Sequence, residues 1–187
     1  MGVERTRPSA TAVIVLDVQE GPAHAMPREQ LAELERAASI LLGAAAELGA
    51  PVIVTAQHAK VHGPIWPTIG ELLARTEHRV IDKLTFSACN EPAFVQELKS
   101  AGAETAIVLG LEAHVGVFQT TRDLVVRGLR VDVPVDGVVA RRADHRDIGL
   151  RLCEKAGATL TTAETILFDW MVQEETEIFR KLSTLVT

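Results

Sequence analysis

The stretch Ala106-Ile-Val-Leu-Gly-Leu-Glu-Ala-His-Val-Gly-Val-Phe-Gln-Thr-Thr121 constrains the fold more than any other part of the chain. It opens with a continuous apolar run, the pattern of a strand covered on both faces. It is predicted to turn at Gly110 and to pass into a helix at about His114. A doubly covered strand that feeds a helix across a tight turn belongs to a parallel α/β sheet. Open sheets of that kind bind ligands outside the carboxyl ends of their strands.

The rest of the chain repeats the alternation. Ala12–Leu16 and Pro51–Thr55 are short apolar strands, and a helix is predicted from Pro27 to about Leu48. Leu31, Leu34, Leu41 and Leu48 share one face of that helix, with Gly49 as its stop. Arg79–Asp82, Arg130–Asp136 and Ala158–Thr161 read as further strands. Pro134 has no N–H to donate, so the fifth strand is not expected to be paired throughout on both sides. Helices are expected at Glu71–Ala74, after caps at Asn90 and Asp144, and over Glu164–Met171 and about Glu175–Leu185, with Thr161 or Thr162 as a cap. Six strands alternating with helices predict a parallel sheet with helices on both faces, in one α/β domain over residues 1–187 with residues 1–10 as a polar arm.

Composition removes several functional classes. A net charge of −6 disfavours nucleic acid and anionic membranes as partners. Aromatic residues are only 4% with no Tyr, too few for a base-stacking surface. No run reaches the length of a membrane span. Two cysteines, Cys89 and Cys153, are too few for a zinc site or a disulfide framework, so a reduced, cytoplasmic setting is expected.

Three strand ends carry polar residues: Asp17 after the first strand, Lys83 after the third, and Glu112 to Gly116 after the fourth. Each alone is ordinary, since an Asp after a strand is usually a turn residue and a Lys a solvated charge. Together they sit where strand ends converge.

These residues carry a resemblance. Val15-Leu-Asp-Val-Gln19, Lys83-Leu-Thr-Phe-Ser-Ala88, Gly110-Leu-Glu-Ala-His-Val-Gly-Val-Phe-Gln-Thr120, Val133-Pro-Val-Asp-Gly137 and Thr161-Thr-Ala-Glu-Thr165 occur in the order found in the isochorismatase-like, or cysteine hydrolase, superfamily. The chain resembles that superfamily from about residue 12 to its last helices. The resemblance implies a Rossmann-like, three-layer αβα sandwich with a six-stranded parallel sheet. It implies an Asp-Lys-Cys triad in which Asp17 is the acid/base and Lys83 its electrostatic partner, with the cysteine nucleophile at position 116 and a cis peptide at Glu112-Ala113. Position 116 is glycine. A thioester intermediate needs a thiolate, so that chemistry is excluded at this position. True isochorismatases are similar in carrying glycine there and cleave a vinyl ether by protonation and hydration. They tend to have an aromatic residue and an Arg before the Ser-Ala, where this chain has Leu84, Thr85 and Phe86, and a Tyr where it has Glu112.

The resemblance and the loop after the second strand make Gln19, His58, Trp66, Phe86, Glu112, Ala113 and His114 the candidate substrate-binding residues, with Asp17, Lys83 and Gly116 as the catalytic positions. Trp66 either lines the pocket or packs the loop down, and His114 either caps its helix or meets a neighbouring subunit. Backbone N–H groups around Gly116 are expected to form an anion-binding helix terminus. His58 and His62, spaced i, i+4, lack a third ligand nearby, so no metal is expected. Cys89 is a candidate substitute thiol, and Cys153 reads as core. The expected activity is cofactor-independent hydrolysis of a small-molecule substrate. The alternative is a homo-oligomer that has lost catalysis and at most binds a ligand. Homo-oligomerisation follows from the resemblance and from apolar residues in the last helices, among them Ile166, Phe168, Trp170, Met171, Ile178 and Phe179.

Overall fold

Residues 5–186 are described by the computed structural model of the chain. In order they form β1 (Thr11–Leu16), a short α1 (Glu20–Ala23) and the long α2 (Arg28–Leu48). β2 (Val52–Gln57) leads through α3 (Ala59–His62) and α4 (Pro67–Leu73) to β3 (His78–Lys83). Then follow α5 (Pro92–Ser100), β4 (Thr105–Leu111), α6 (Phe118–Val126) and β5 (Arg130–Pro134). The chain closes with β6 (Val138–Val139), α7 (Ala143–Ala156), β7 (Thr159–Thr161), α8 (Ala163–Met171) and α9 (Glu177–Leu182).

Every strand pair is parallel, in the order β3-β2-β1-β4-β5-β7, and β6 pairs with β4 beside β5. The sheet therefore has the six expected strands in order and a two-residue seventh. Pro134 explains the seventh. β5 pairs β4 only at Arg130–Asp132 and β7 only at Asp132–Pro134. The chain leaves the sheet at the proline, turns through Val135–Gly137 and returns as β6 against Gly110 and Leu111.

Strand alternation builds two cores. Val13 and Val15 pack with Leu34, Leu41, Ile69 and Trp170, beneath α2, α4 and α8. Ile14 and Leu16 pack with Phe94, Leu124 and Leu150, beneath α5, α6 and α7. All of β1 and β4 is buried, because both faces are covered. This is the three-layer αβα architecture.

Several local readings change. Gly110 is not the turn: β4 continues to Leu111. Glycine is required there for contact instead, since a Cβ at its φ of 135° would lie 2.1 Å from the Leu16 carbonyl oxygen on the neighbouring strand. Glu91 rather than Asn90 precedes α5, and Arg142 rather than Asp144 precedes α7, with Asp144 in the first turn and ion-paired to Arg142. Thr162 does cap α8, its hydroxyl accepting from the Thr165 N–H at 3.1 Å. Of the expected polar arm, residues 1–4 lie outside the described residues, and Arg5, Arg7 and Ser9 are exposed. Thr6 is buried, donates twice to Asp169 and accepts from the Trp170 indole at 2.8 Å, which pins the segment to α8. Apolar side chains of the last helices are largely consumed in the same way. Ile166, Trp170 and Met171 are buried, Ile178 and Phe179 pack on that core, and Phe168 is the exposed member of the set.

Candidate active site

Asp17 follows β1 with a φ of 56°, a left-handed conformation that Asp tolerates better than most residues. Its N–H still bonds the Thr55 carbonyl at 3.1 Å, so the backbone stays tied to β2. The Thr55 hydroxyl donates to Asp17 Oδ1 at 2.6 Å, and the Lys83 ammonium donates to Oδ2 at 2.7 Å. Lys83 ends β3, an edge strand two places away, about 10 Å at ordinary strand spacing. Its stem crosses the end of β2, and its ammonium donates to Gln57 Oε1 at 2.6 Å and to the Thr85 and Phe86 carbonyls at 3.0 and 3.3 Å. The side chain is fully buried, a position open to an ammonium only with this many acceptors.

The third component arrives from β4. After Leu111 the peptide to Glu112 is cis, one residue before the expected position, and Ala113–Val117 form a single π-helical turn before α6. Gly116 lies in this turn, and a Cβ there would stand 3.4 Å from Asp17 Oδ2. Asp17, Lys83 and position 116 therefore meet as the sequence suggested. Gly149 of α7 was not singled out, although a glycine inside a helix is itself a signal of close approach. A Cβ there would fall 2.5 Å from the Ala113 carbonyl carbon, so its absence lets α7 close on the turn.

Beside this group is a cavity of about 180 Å³. Its apolar part is lined by Pro22, Phe86, Leu111 and Val115, and its polar part by Asp17, Gln57, His62 and Glu112, with Gly116 between them. Phe86 edges the space without filling it and is largely exposed. A larger depression of about 650 Å³ lies at the opposite end of the strands, among Gly49, Pro51, His78 and Arg79, and shares no residue with the aspartate–lysine pair.

Of the seven candidate binding residues, Phe86 and Glu112 line the cavity. Gln19 is fully buried and braces the loops, donating to the Gly63 carbonyl at 2.8 Å and accepting from the Gln57 N–H at 2.7 Å. His58 is exposed at the turn after β2. Trp66 packs the loop down: its indole donates to Glu35 at 2.6 Å and its ring meets His24 edge-on. Ala113 is buried in the turn. His114 tilts against His145 at 4.7 Å, on the α7 side, and burial pushes its pKa down. The sequence missed Gln57, Pro22, Leu111 and Val115 as lining residues and left His62 undecided. No spacing rule marks them, because they come from four separate segments.

The expected anion-binding terminus is reduced by the π turn. The N–H groups of Val115 and Val117 both donate to the Glu112 carbonyl, at 2.9 and 3.3 Å. Glu112 itself accepts from Arg141 Nε and from the Arg141 N–H, both at 3.1 Å. Among the described residues no group of three or more His, Cys, Asp or Glu side chains is placed to hold a metal ion.

Burial pushes the Asp17 carboxyl above its ordinary range, although Lys83 and Thr55 pull the other way. Neither thiol replaces the missing nucleophile. Cys89 is buried, faces the Thr120 carbonyl at 3.9 Å and lies outside the cavity. Burial pushes both Cys89 and Cys153 up to about 11, far from a thiolate at neutral pH. Iodoacetamide at pH 7.5 is accordingly expected to leave the native protein unlabelled and to modify both cysteines after denaturation, as read by mass spectrometry. Rapid native labelling of Cys89 would overturn this.

The fold and site together define a class: a parallel α/β sandwich with an aspartate–lysine pair at its strand ends, beside a turn of the cysteine-hydrolase type in which position 116 is glycine. The Isochorismatase domain model matches residues 11–165, and the chain belongs to that family. Human isochorismatase domain-containing protein 2 is 30% identical over 184 residues, which cover 97% of this chain and 85% of the relative. Among solved structures, one described as the MAR1 ribonuclease of Caenorhabditis elegans superposes with a TM-score of 0.90 at 36% identity, covering 98% of this chain and 92% of that one. The YcaC gene product of Escherichia coli, at 20% identity, a TM-score of 0.89 and coverage of 99% and 90%, shares the fold.

Proposed function

We propose that this chain is a small-molecule hydrolase of the isochorismatase family that works without a covalent thioester and without a cofactor, with Asp17 as acid/base and Lys83 as its partner. The observation that carries this reading is the open cavity at Gly116, into which a buried carboxyl with a raised pKa faces. A carboxyl of that kind holds a proton nearer neutrality, as an acid must. In the cycle this supports, Asp17 delivers its proton to the substrate, water adds to the cation so formed, and the carboxylate recovers a proton as the bond to the leaving group breaks. Lys83 and Thr55 fix the carboxyl in place.

The alternative reading, a ligand-binding protein without turnover, uses the same open cavity and the same Asp17–Lys83 contact, and turnover is what separates the two. Nucleic acid is a weak candidate partner even though the C. elegans relative is described as a ribonuclease. A chain of net charge −6 whose cavity lining has no Lys or Arg is poorly suited to a phosphate backbone. The test is a screen of amides, esters and vinyl ethers, isochorismate included, and of RNA, with wild type and Asp17→Asn in parallel. Turnover of a small molecule that the variant lacks supports the reading. Turnover of none, or equal turnover by both proteins, sinks it.

Two unpaired, buried thiols fit a reducing, cytoplasmic setting, and no helix among the described residues is long and apolar enough to cross a membrane. Self-assembly is part of the proposal. The E. coli relative is described as an octameric hydrolase, and Val61, Leu84 and Phe86 lie exposed on the segments that flank the cavity. Light scattering coupled to gel filtration is expected to give a mass of several chains at micromolar concentration. A monomer of 20.2 kDa would remove this part of the reading.

A further inference from the structure

The charges around the cavity restrict what can enter it. No Lys or Arg side chain lines it. The Lys83 ammonium is fully covered and hydrogen-bonded to Asp17, Gln57 and two carbonyls, so it is not offered to a ligand. Arg141 is bonded to the carboxylate of Glu112, a residue that lines the space, so the cation beside the rim is already neutralised. Two amides of the π turn are spent on the Glu112 carbonyl. An entering carboxylate would be stripped of water beside two completed ion pairs, Asp17–Lys83 and Glu112–Arg141, with neither cation free to receive it. The volume of about 180 Å³ is below the range of drug-sized pockets.

We infer, on the hydrolase reading above, that the site selects small neutral or cationic molecules and rejects carboxylates, and that Glu112 sets this charge preference. Isochorismate, with two carboxylates, falls in the rejected class. Glu112 acts through its ion pair, which holds Arg141 away from the role of carboxylate receptor. Asp17 is likewise paired, with a Lys83 ammonium that is fully buried, which leaves Glu112 as the group whose removal frees a cation at the rim.

The experiment uses three planar molecules of nearly equal shape: benzamidine, benzamide and benzoate. Binding to the full chain is measured by calorimetry or ligand-observed NMR at pH 8. Benzamidine and benzamide are expected to bind at least about tenfold more tightly than benzoate. In Glu112→Gln the freed Arg141 is expected to narrow that gap about tenfold or more. Val115→Phe, which places a ring in the cavity, is expected to abolish binding of all three. Benzoate binding as tightly as benzamide, an unchanged gap in Glu112→Gln, binding that survives Val115→Phe, or no binding by any of the three would each overturn the inference. The hydrolase reading fails separately, through absence of Asp17-dependent turnover, and the order of affinities is read whether or not turnover occurs.

Discussion

Asp17→Asn is expected to lower kcat/KM about a thousandfold or more for whichever substrate the protein turns over, with little change in KM. General acid or base catalysis by one placed side chain is worth about a hundredfold to ten-thousandfold, and here no thiol shares the load. Asparagine keeps the shape and its single oxygen can still accept from Thr55 or from Lys83, but its NH2 group replaces the second acceptor that Asp17 offers now. It has no proton to give at the oxygen that faces position 116. The loss therefore belongs in kcat, and circular dichroism of the variant is expected to match wild type. The pH profile assigns the direction of transfer. If Asp17 acts as an acid, activity falls as pH rises through its raised pKa; if it acts as a base, activity falls as pH drops through it. A variant within tenfold of wild type would remove Asp17 from the chemistry.

Lys83→Met is expected to produce the largest loss of stability of any single change considered, about 3–5 kcal/mol at pH 8. The ammonium is fully buried, and its removal leaves the Asp17 carboxylate without its cation and takes the donor from Gln57 and two loop carbonyls. The pH dependence follows from linkage. Burial already holds Asp17 above its ordinary range, and Lys83 is the first of the influences that lower it. Without Lys83 the folded-state pKa rises further. A folded pKa above the unfolded one means stability that is present below the unfolded pKa and lost as pH rises through the folded pKa. The deficit is therefore expected to be larger at pH 8 than at pH 5, because protonation of the carboxyl, which removes its need for a cation, increases as pH falls. Urea unfolding at the two pH values measures this, with urea preferred because guanidinium salt screens charge. An equal deficit at both would show that the loss is packing alone.

Much of the architecture was legible because it rests on local pattern. Continuous apolar runs at Val13–Val15 and Ile107–Leu109 do not suit a surface strand, and burial of every position in β1 and β4 follows. Pro134 foretold where the fifth strand would leave its partner, since the missing N–H is a property of the residue itself. Gly49 stops α2 in the left-handed conformation for the same kind of reason. The terminal helices misled, because periodicity shows that Trp170 and Met171 are apolar but not whether their cover is the same chain or another copy.

The site divides along the same line. The sequence by itself determined that Asp17, Lys83 and a glycine at 116 stand at strand ends, and that no thioester forms at 116, because residue identity alone decides which nucleophile is present. Only the tertiary structure decided what surrounds them. Lys83 is an edge-strand residue that reaches Asp17 by crossing Gln57, a contact set by strand order. Gln19, His58, Trp66 and His114 share the right segments yet point elsewhere, held by Gly63, by the turn after β2, by Glu35 and by His145. Glu112 gains its meaning from Arg141, 29 residues on, just ahead of α7, whose Gly149 lies against the same turn. A side chain's direction depends on backbone angles and on neighbours brought together by packing, and neither is encoded in the spacing of residues along the chain.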